Sequence, residues 1–227
     1  MTIRAGDTLA FDVYGTLIDT QCLVPLLTGV GARDAISLSA LWRELQLEFS
    51  FRRALMQDYQ PFTTITRQAL RTAWARSEGA EIPVPAEEAL LAAYLTLAAF
   101  DEVPQALTDI GTTGVSTAAF SNGDPADLDH LLHANGLAGS LGQVISVAPV
   151  KTFKPDPRVY AHFLAQSGTT ADRTWLVSGN PFDILGAARS GWRTIWVQRD
   201  ANRPFDDWGA APTITVSCLR EICAHIV

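Results

Sequence analysis

The sequence of 227 residues predicts an α/β fold, in which a parallel sheet carries a helical segment inserted after its first strand. Short, continuous apolar runs recur along the chain, and such runs are typical of strands that helices cover on both faces. After residue 110 these runs alternate with helical patterns, as they do in parallel α/β sheets. Between residues 20 and 99 the alternation stops and the pattern is helical.

Six apolar runs are predicted strands: Thr8–Val13, Val115–Phe120, Gln143–Val147, Thr174–Val177, Thr194–Val197 and Thr213–Val216. Helical periodicity separates the later strands at Pro125–Leu137, Asp156–Gln166 and Phe182–Arg189. The inserted segment contains three further helical patterns: Ile36–Met56, Ile65–Ser77 and Ala86–Phe100. We therefore expect a Rossmann-like α/β core domain at residues 1–17 and 100–227, with a helical cap domain at residues 18–99.

Charge and composition limit the classes of partner. A formal net charge of −7 argues against nucleic-acid binding, which needs a basic surface. An anionic substrate would therefore have to be attracted by local charges. Hydrophobic residues make up 48% of the chain and charged residues 18%, as in ordinary globular proteins, and no uncharged run reaches the length of a membrane span.

The cysteines and the first residues indicate the compartment. Cys22, Cys218 and Cys223 lack the spacing of metal ligands, and an odd number fits a reducing environment better than a disulfide framework. No long apolar stretch precedes the first acid, so we expect no signal peptide. The sequence therefore predicts a cytoplasmic enzyme.

Polar side chains cluster where the predicted strands end. Asp12 lies at the end of the first strand, and the run Ser121–Gly123 follows the second. Lys154 lies in the loop after the third strand, and the run Ser178–Asn180 with Asp183 follows the fourth. The carboxyl ends of parallel strands carry the chemistry of such sheets, so these residues offer a candidate nucleophile, hydroxyl and amide donors, a cation and a second carboxylate.

Those residues, in that order, resemble the four motifs of the haloacid dehalogenase (HAD) superfamily. The matching stretches are FDVYGTL, SNG, KPD and SGNPFD. More narrowly, the chain is similar to the type II L-2-haloacid dehalogenases, because ALWRELQLEFSFRRALM resembles their cap helix and KPDPRVY their lysine and tyrosine segment. The resemblance covers the whole chain. It implies the HAD fold and a homodimeric hydrolase of carbon–halide bonds, which converts small (S)-2-haloalkanoates to (R)-2-hydroxy acids.

Two positions argue against a metal cofactor. Phosphatase members of the superfamily resemble DxDGT, in which the second aspartate protonates the departing alcohol, whereas this chain has Tyr14 there. A halide leaves without a proton, so a general acid is unnecessary. Asn180 stands where phosphatases usually carry an acid that helps to hold magnesium, which prefers carboxylate oxygens. The resemblance therefore implies no metal and no other cofactor.

The resemblance also assigns catalytic roles. Asp12 attacks the α-carbon and forms an ester that water then hydrolyses. Thr16 is expected to hold Asp12 by a hydrogen bond, and Lys154 is expected to keep it ionised and oriented. The group that positions and activates the hydrolytic water is expected to be Ser178, Asn180 and Asp183.

Seven residues are expected to bind the substrate: Tyr14, Arg43, Phe62, Ser121, Asn122, Tyr160 and Phe182. At about 100° per residue, Arg43 lies roughly 40° from Leu47 and so borders an apolar stripe. The resemblance of LWRELQLE to the dehalogenase cap implies that Arg43 captures halide or carboxylate. Ser121 and Asn122 precede a helix and can hold the substrate carboxylate. Tyr160 is placed by the resemblance near Lys154 and that carboxylate.

Departures from the resembling motifs leave alternatives open. The fourth motif has SGN where relatives often have SSN, Phe182 stands where an indole is common, and Glu44 stands where an amide is common. The preferred halogen and chain length are therefore open. The rival functions are a relative that opens a C–F bond or a strained C–N ring, a magnesium-dependent phosphatase, and a non-catalytic ligand-binding relative.

Overall fold

The computed structural model describes residues 2–227 and has a six-stranded parallel sheet at its centre. The strands are β1 (Thr8–Phe11), β2 (Ser116–Ser121), β3 (Gln143–Ser146), β4 (Thr174–Ser178), β5 (Arg193–Val197) and β6 (Ile214–Val216). Their order across the sheet is β3-β2-β1-β4-β5-β6, so β1 is central. The predicted α/β class is confirmed, and each predicted strand overlaps an observed one.

Eight α-helices accompany the strands within residues 2–227. They are α1 (Val24–Gly29), α2 (Ala35–Met56), α3 (Phe62–Glu78), α4 (Val84–Tyr94), α5 (Val103–Gly111), α6 (Pro125–Ala134), α7 (Pro157–Ser167) and α8 (Pro181–Arg189). Helices α1 to α4 all fall between β1 and β2. None of the helices in the described part of the chain combines the length and apolar character needed to cross a bilayer.

The register of the sheet aligns the strand ends that carry polar residues. Thr8 of β1 pairs with Ser116 of β2 on one side and with Thr174 of β4 on the other. All of these pairings are parallel, so the residues that follow β1, β2 and β4 emerge at the same edge of the sheet. This edge is where Asp12 lies.

The helix predicted at Ala86–Phe100 is too long, because α4 ends at Tyr94. The segment after it returns to the sheet: Ala99 pairs with Ile18 in an antiparallel bridge, and the Phe100 amide donates to the Leu17 carbonyl at 3.1 Å. An extended backbone is needed for these bonds, so the helix cannot continue. The short helices α1 and α5 were not predicted.

The two chain crossings between the helical segment and the sheet lie side by side. The amide of Asp19 donates to the carbonyl of Ala98 at 2.9 Å, next to the Leu17–Phe100 hydrogen bond. Helices α2 and α3 pack together through buried residues, and the Trp42 indole on α2 donates to the Thr66 carbonyl on α3 at 2.9 Å. Helices α2 and α3 therefore pack against each other, and the backbone enters and leaves the helical segment at adjacent positions.

Candidate active site

Asp12 follows β1 directly and has its carboxylate held from three sides. Its backbone amide donates to the Val177 carbonyl at 2.9 Å, which fixes the residue against β4. Oδ2 accepts hydrogen bonds from Thr16 Oγ1 and from Asn180 Nδ2, both at 2.8 Å. Oδ1 lies 3.2 Å from Lys154 Nζ. The carboxylate is thus oriented before any substrate arrives, as preorganised catalysis requires.

The ammonium group of Lys154 lies between two buried carboxylates. It donates to Asp12 Oδ1, to Asp183 Oδ2 at 2.8 Å and to the Phe120 carbonyl at 2.7 Å. The nitrogen is also 4.1 Å from the centroid of the Phe120 ring, in a cation–π contact. Asn122 Oδ1 accepts the Lys154 amide proton at 2.9 Å, which anchors the loop. Every ammonium proton has an acceptor, so a buried charge is tolerated.

Asp183 sits in the first turn of α8 with no accessible surface. Burial raises the pKa of its carboxyl from 3.8 to about 6, the nearby Lys154 cation lowers that pKa, and the Asp12 charge raises it. A carboxyl with such a pKa can accept a proton near neutral pH. Its Oδ1 accepts a hydrogen bond from the Tyr160 hydroxyl at 2.8 Å.

Tyr160 packs beside Asp183 in the interior, and its contact with a substrate carboxylate remains a prediction. Tyr160 has no accessible surface, and its ring packs against Phe120 and Trp192 in the interior. The pKa of its hydroxyl is raised well above 10 by burial and by the charge of Asp183, so the group stays a proton donor. Gly186 makes room for it, because a Cβ there would lie 2.3 Å from the hydroxyl oxygen. Tyr160 therefore orients Asp183.

The loops after β1 and β4 approach each other closely at Gly15 and Gly179. The Gly179 amide donates to Thr16 Oγ1 at 2.9 Å, and a Cβ on Gly179 would lie 2.5 Å from the Gly15 carbonyl oxygen. Only glycine permits this approach. The Ser178 hydroxyl accepts the Asn180 amide proton at 3.1 Å and so shapes the same turn. The absence of a second hydroxyl in SGN thus has a steric reason.

Arg43 reaches the loop after β1, which carries Asp12, from helix α2. Its Nη2 donates to the Tyr14 carbonyl at 3.0 Å, and Asn180 Nδ2 donates to the same oxygen at 3.1 Å. Its Nη1 donates to Gln46 Oε1 at 2.7 Å. The half-buried guanidinium therefore lies next to the residues that hold Asp12, and its binding of an anion remains a prediction.

Aromatic side chains from both parts of the chain surround this edge. Tyr14 stacks on Tyr94 of α4 with ring centroids 5.3 Å apart, and its ring centroid is 5.7 Å from that of Phe62 on α3. Phe182 meets Phe51 of α2 edge-on at 5.1 Å. Burial raises the pKa of Tyr14 well above 10, so its phenol stays neutral. These contacts place apolar walls between the helical segment and the sheet.

Ser121 and Asn122 occupy the predicted edge but are engaged by the protein. The Ser121 hydroxyl accepts the Gly123 amide proton at 3.1 Å, which leaves its own proton free to donate. The Asn122 side chain holds the Lys154 loop through its oxygen. Their contact with a substrate carboxylate remains a prediction.

Four residues near the site were not found from the sequence: Gln46, Phe51, Tyr94 and Phe120. For Gln46 a signal was present, since it stands three residues after Arg43 and residues at this spacing share a helix face. The other three act through ring contacts or a backbone carbonyl, which no residue pattern identifies.

Comparisons with known proteins agree with this geometry. Residues 7–191 match the haloacid dehalogenase-like hydrolases. An (S)-2-haloacid dehalogenase of Pseudomonas sp. (strain YL) is 37% identical over 94% of this chain and 91% of its own length. The haloacetate dehalogenase H-2 of Moraxella sp. (strain B) is 31% identical over 97% of each chain.

A solved structure adds chemical detail about a relative. The L-2-haloacid dehalogenase from Xanthobacter autotrophicus, with chloropropionic acid covalently bound, is 28% identical over 96% of each chain and superposes with a TM-score of 0.89. The family match covers most of the sequence, and the arrangement of Asp12, Lys154 and Asp183 agrees with it. The chain belongs to the haloacid dehalogenase-like hydrolase family.

Proposed function

We propose that the protein hydrolyses small (S)-2-haloalkanoic acids to (R)-2-hydroxy acids through an ester on Asp12. The observation that carries the proposal is the Asp12 carboxylate, buried and oriented by Thr16, Asn180 and Lys154 at the edge of the sheet. Relatives named (S)-2-haloacid dehalogenase, matched over most of the chain, support the substrate class.

In the first step an oxygen of Asp12 attacks the α-carbon from the side opposite the halogen. The C–O bond forms as the carbon–halogen bond breaks, and the halogen leaves with the bonding electrons as halide. The α-carbon inverts, which converts the (S) to the (R) configuration. Halide needs no proton to leave, so the neutral phenol of Tyr14 serves as a wall, and Arg43 provides a cation for the halide or the substrate carboxylate.

In the second step water attacks the carbonyl carbon of the Asp12 ester. Asp183 accepts a proton from that water, and the Thr16, Asn180 and Lys154 donors stabilise the negative charge on the tetrahedral intermediate. The bond between the carbonyl carbon and the alkyl oxygen then breaks, and Asp183 returns its proton to that oxygen, so the 2-hydroxy acid departs. Asp12 loses its remaining proton to solvent and is restored as the carboxylate. The product hydroxyl oxygen therefore originates from Asp12.

The proposed reaction uses no divalent metal. Lys154 Nζ lies within hydrogen-bonding distance of Asp12 and Asp183, so the ammonium group occupies the space in which two carboxylates would bind a cation. The amide of Asn180 also adds no charge to the carboxylates. Local charge balance is thus supplied by a side chain of the protein.

Halide release tests the function and the absence of a metal together. We expect the protein to release chloride from (S)-2-chloropropionate and to leave the (R) enantiomer unreacted. The rate should be unchanged after exhaustive EDTA treatment, measured by chloride titration against an untreated sample. A rate that needs added magnesium, or phosphate release from phosphate monoesters in place of chloride release, would contradict the proposal.

The pKa of Asp183 predicts the acid limb of the pH profile. Since this pKa is about 6, the carboxylate is protonated at lower pH and cannot accept the proton from water. In the ester the Asp12 charge that raises this pKa is absent, so we expect kcat to fall at acid pH, by up to about tenfold per pH unit, below a pKa that lies under 6. Single-turnover ester formation should depend less on pH over this range. A kcat that stays constant down to pH 4.5 would remove Asp183 from the hydrolytic step.

We also propose that residues 18–99 act as a cap over a core of residues 1–17 and 100–227, in a protein that works in the cytoplasm. The contacts of Arg43, Phe51 and Phe62 with residues at the sheet edge support this arrangement. Substrate would then be enclosed between helices and sheet, which strengthens the electrostatic contacts by excluding water.

A homodimer is proposed from the exposed apolar residues of α2. Leu55 and Met56, adjacent at the end of α2, are 85% and 64% exposed, and a contiguous exposed apolar patch can mark an interface. We expect light scattering at micromolar concentration to give twice the monomer mass. The double substitution Leu55→Glu/Met56→Glu should shift the population towards monomer. A wild-type sample of monomer mass would contradict the dimer.

A further inference from the structure

Gln46 is a buried glutamine on α2 whose side-chain amide lies between three helices. It is 1% exposed, and its Nε2 donates to Thr66 Oγ1 at 2.6 Å. The Tyr94 hydroxyl lies 3.0 Å from Nε2 and 3.1 Å from Oε1. Both the nitrogen and the oxygen of the amide have hydrogen-bond partners, so the side chain is held in one position.

The neighbours also fix which end of the amide faces Arg43. The Thr66 hydroxyl donates to the Phe62 carbonyl at 2.9 Å, so towards Gln46 it can only accept a hydrogen bond. The nitrogen of the Gln46 amide must therefore face Thr66. Its oxygen is left to face Arg43 Nη1, which donates to it at 2.7 Å.

Arg43 is held entirely by neutral acceptors. Its two hydrogen bonds go to Gln46 Oε1 and to the Tyr14 carbonyl, and none of the ion pairs among residues 2–227 includes it. A neutral acceptor orients a guanidinium without cancelling its charge. A carboxylate in the same place would form a charge-assisted pair and compete with an incoming anion.

We propose that Gln46 is a positioning residue for Arg43, which holds the guanidinium towards the Asp12 loop while leaving its positive charge free for an anion. The proposal rests on the proposed function for the identity of that anion, a halide or a small 2-substituted carboxylate. Thr66 and Tyr94 extend the role, because they prevent the amide from flipping.

The test compares two substitutions at one site. Gln46→Glu keeps the shape and adds a negative charge next to Arg43, and it also sets an oxygen against the Thr66 hydroxyl. Gln46→Met keeps the volume and removes the hydrogen bonds without adding charge. Gln68→Glu is the matched control, because Gln68 accepts a hydrogen bond from Arg53 Nη2 at 2.9 Å and lies outside the site.

We expect Gln46→Glu to lower kcat/KM on 2-chloropropionate by about tenfold or more, and Gln46→Met to lower it less. Gln68→Glu should match the wild type. Arg43→Ala alone should cost on the order of 10²–10³ in rate, as for the loss of an oxyanion donor. In the Arg43→Ala background, Gln46→Glu should cause little further loss, because its effect acts through the missing guanidinium.

Anion binding provides a measurement that does not depend on turnover. Calorimetry with 2-hydroxypropionate should show weaker binding to Gln46→Glu than to the wild type and the Gln68→Glu control, with thermal unfolding used to verify folding. If Gln46→Glu proves unfolded, a double-mutant cycle of Gln46→Met and Arg43→Ala tests the proposal, which expects their losses in kcat/KM to be non-additive. Multiplicative losses, or unchanged binding and turnover in both Gln46 variants, would overturn the proposal. A wild type that binds the anion but releases no halide would contradict the proposed reaction alone.

Discussion

A single turnover in ¹⁸O-water, with enzyme in excess over (S)-2-chloropropionate, is expected to give a 2-hydroxy acid whose hydroxyl oxygen is unlabelled. That oxygen comes from Asp12, while the water oxygen enters the carboxylate. Label should then appear in the peptide that contains Asp12, measured by mass spectrometry after proteolysis. Many turnovers in the same water should give labelled product, because the carboxylate has by then exchanged.

Asp12→Asn should abolish this reaction, because a neutral amide is a poor nucleophile. The variant is expected to fold, since Lys154 keeps its bonds to Asp183 and to the Phe120 carbonyl. Circular dichroism and thermal unfolding are the controls. If water activated by Asp183 attacked the α-carbon directly, the first turnover would already give labelled product. That result would remove the ester intermediate and leave the fold and the position of the site unchanged.

Lys154→Met should both stop turnover and destabilise the protein. The substitution keeps a long side chain but leaves Asp12 and Asp183 together without their cation. Breaking a buried pair in this way costs about 3–5 kcal/mol of unfolding free energy. Turnover should fall by at least about 10³, since one donor and the orientation of the nucleophile are lost together. Chemical denaturation and halide release are the measurements.

The pH dependence of this variant has a defined sign. Without the ammonium group, the pKa of Asp183 rises further, because burial and the charge of Asp12 both raise it. The folded protein then binds a proton that the unfolded chain releases, so the unfolding free energy should increase as the pH falls from 8 to 5. Lys151→Met is the matched control, because Lys151 is exposed in the same loop. Equal stability of the Lys154→Met variant and the wild type at pH 8 would contradict the prediction.

The strands and the residues at their ends could be predicted because both follow from local patterns. A buried strand is a short apolar run, and parallel strands must end at one edge of the sheet, so Asp12 and Asp183 come together without knowledge of any distance. Lys154 followed the same reasoning through its loop, and the family resemblance supplied its role. These predictions use only order along the chain and the rules of parallel sheets.

The direction in which a side chain points and the residue at which a helix ends could not be predicted in this way. The sequence around Tyr160 predicts that this residue lies near Lys154. Whether its hydroxyl faces the cleft or the interior depends on the space that Gly186 leaves. The apolar residues after Tyr94 continue a helical pattern, yet Ala99 and Phe100 pair with the first crossing of the chain. In each case a contact between residues distant in sequence overrides the local signal.

The adjacent chain crossings allow the helical segment and the sheet to vary independently in evolution. The hydrogen bonds of Leu17 with Phe100 and of Asp19 with Ala98 hold the two ends of the helical segment next to each other. The inserted segment therefore leaves and re-enters the sheet at one point, as a short loop would. Insertions or deletions in those parts of α1 to α4 that do not contact the Asp12 loop are therefore expected to leave the register of β1 against β2 unchanged. Variation in the helices can therefore reshape what the protein accepts, apart from Arg43 and its support, while the bond-breaking groups are inherited intact.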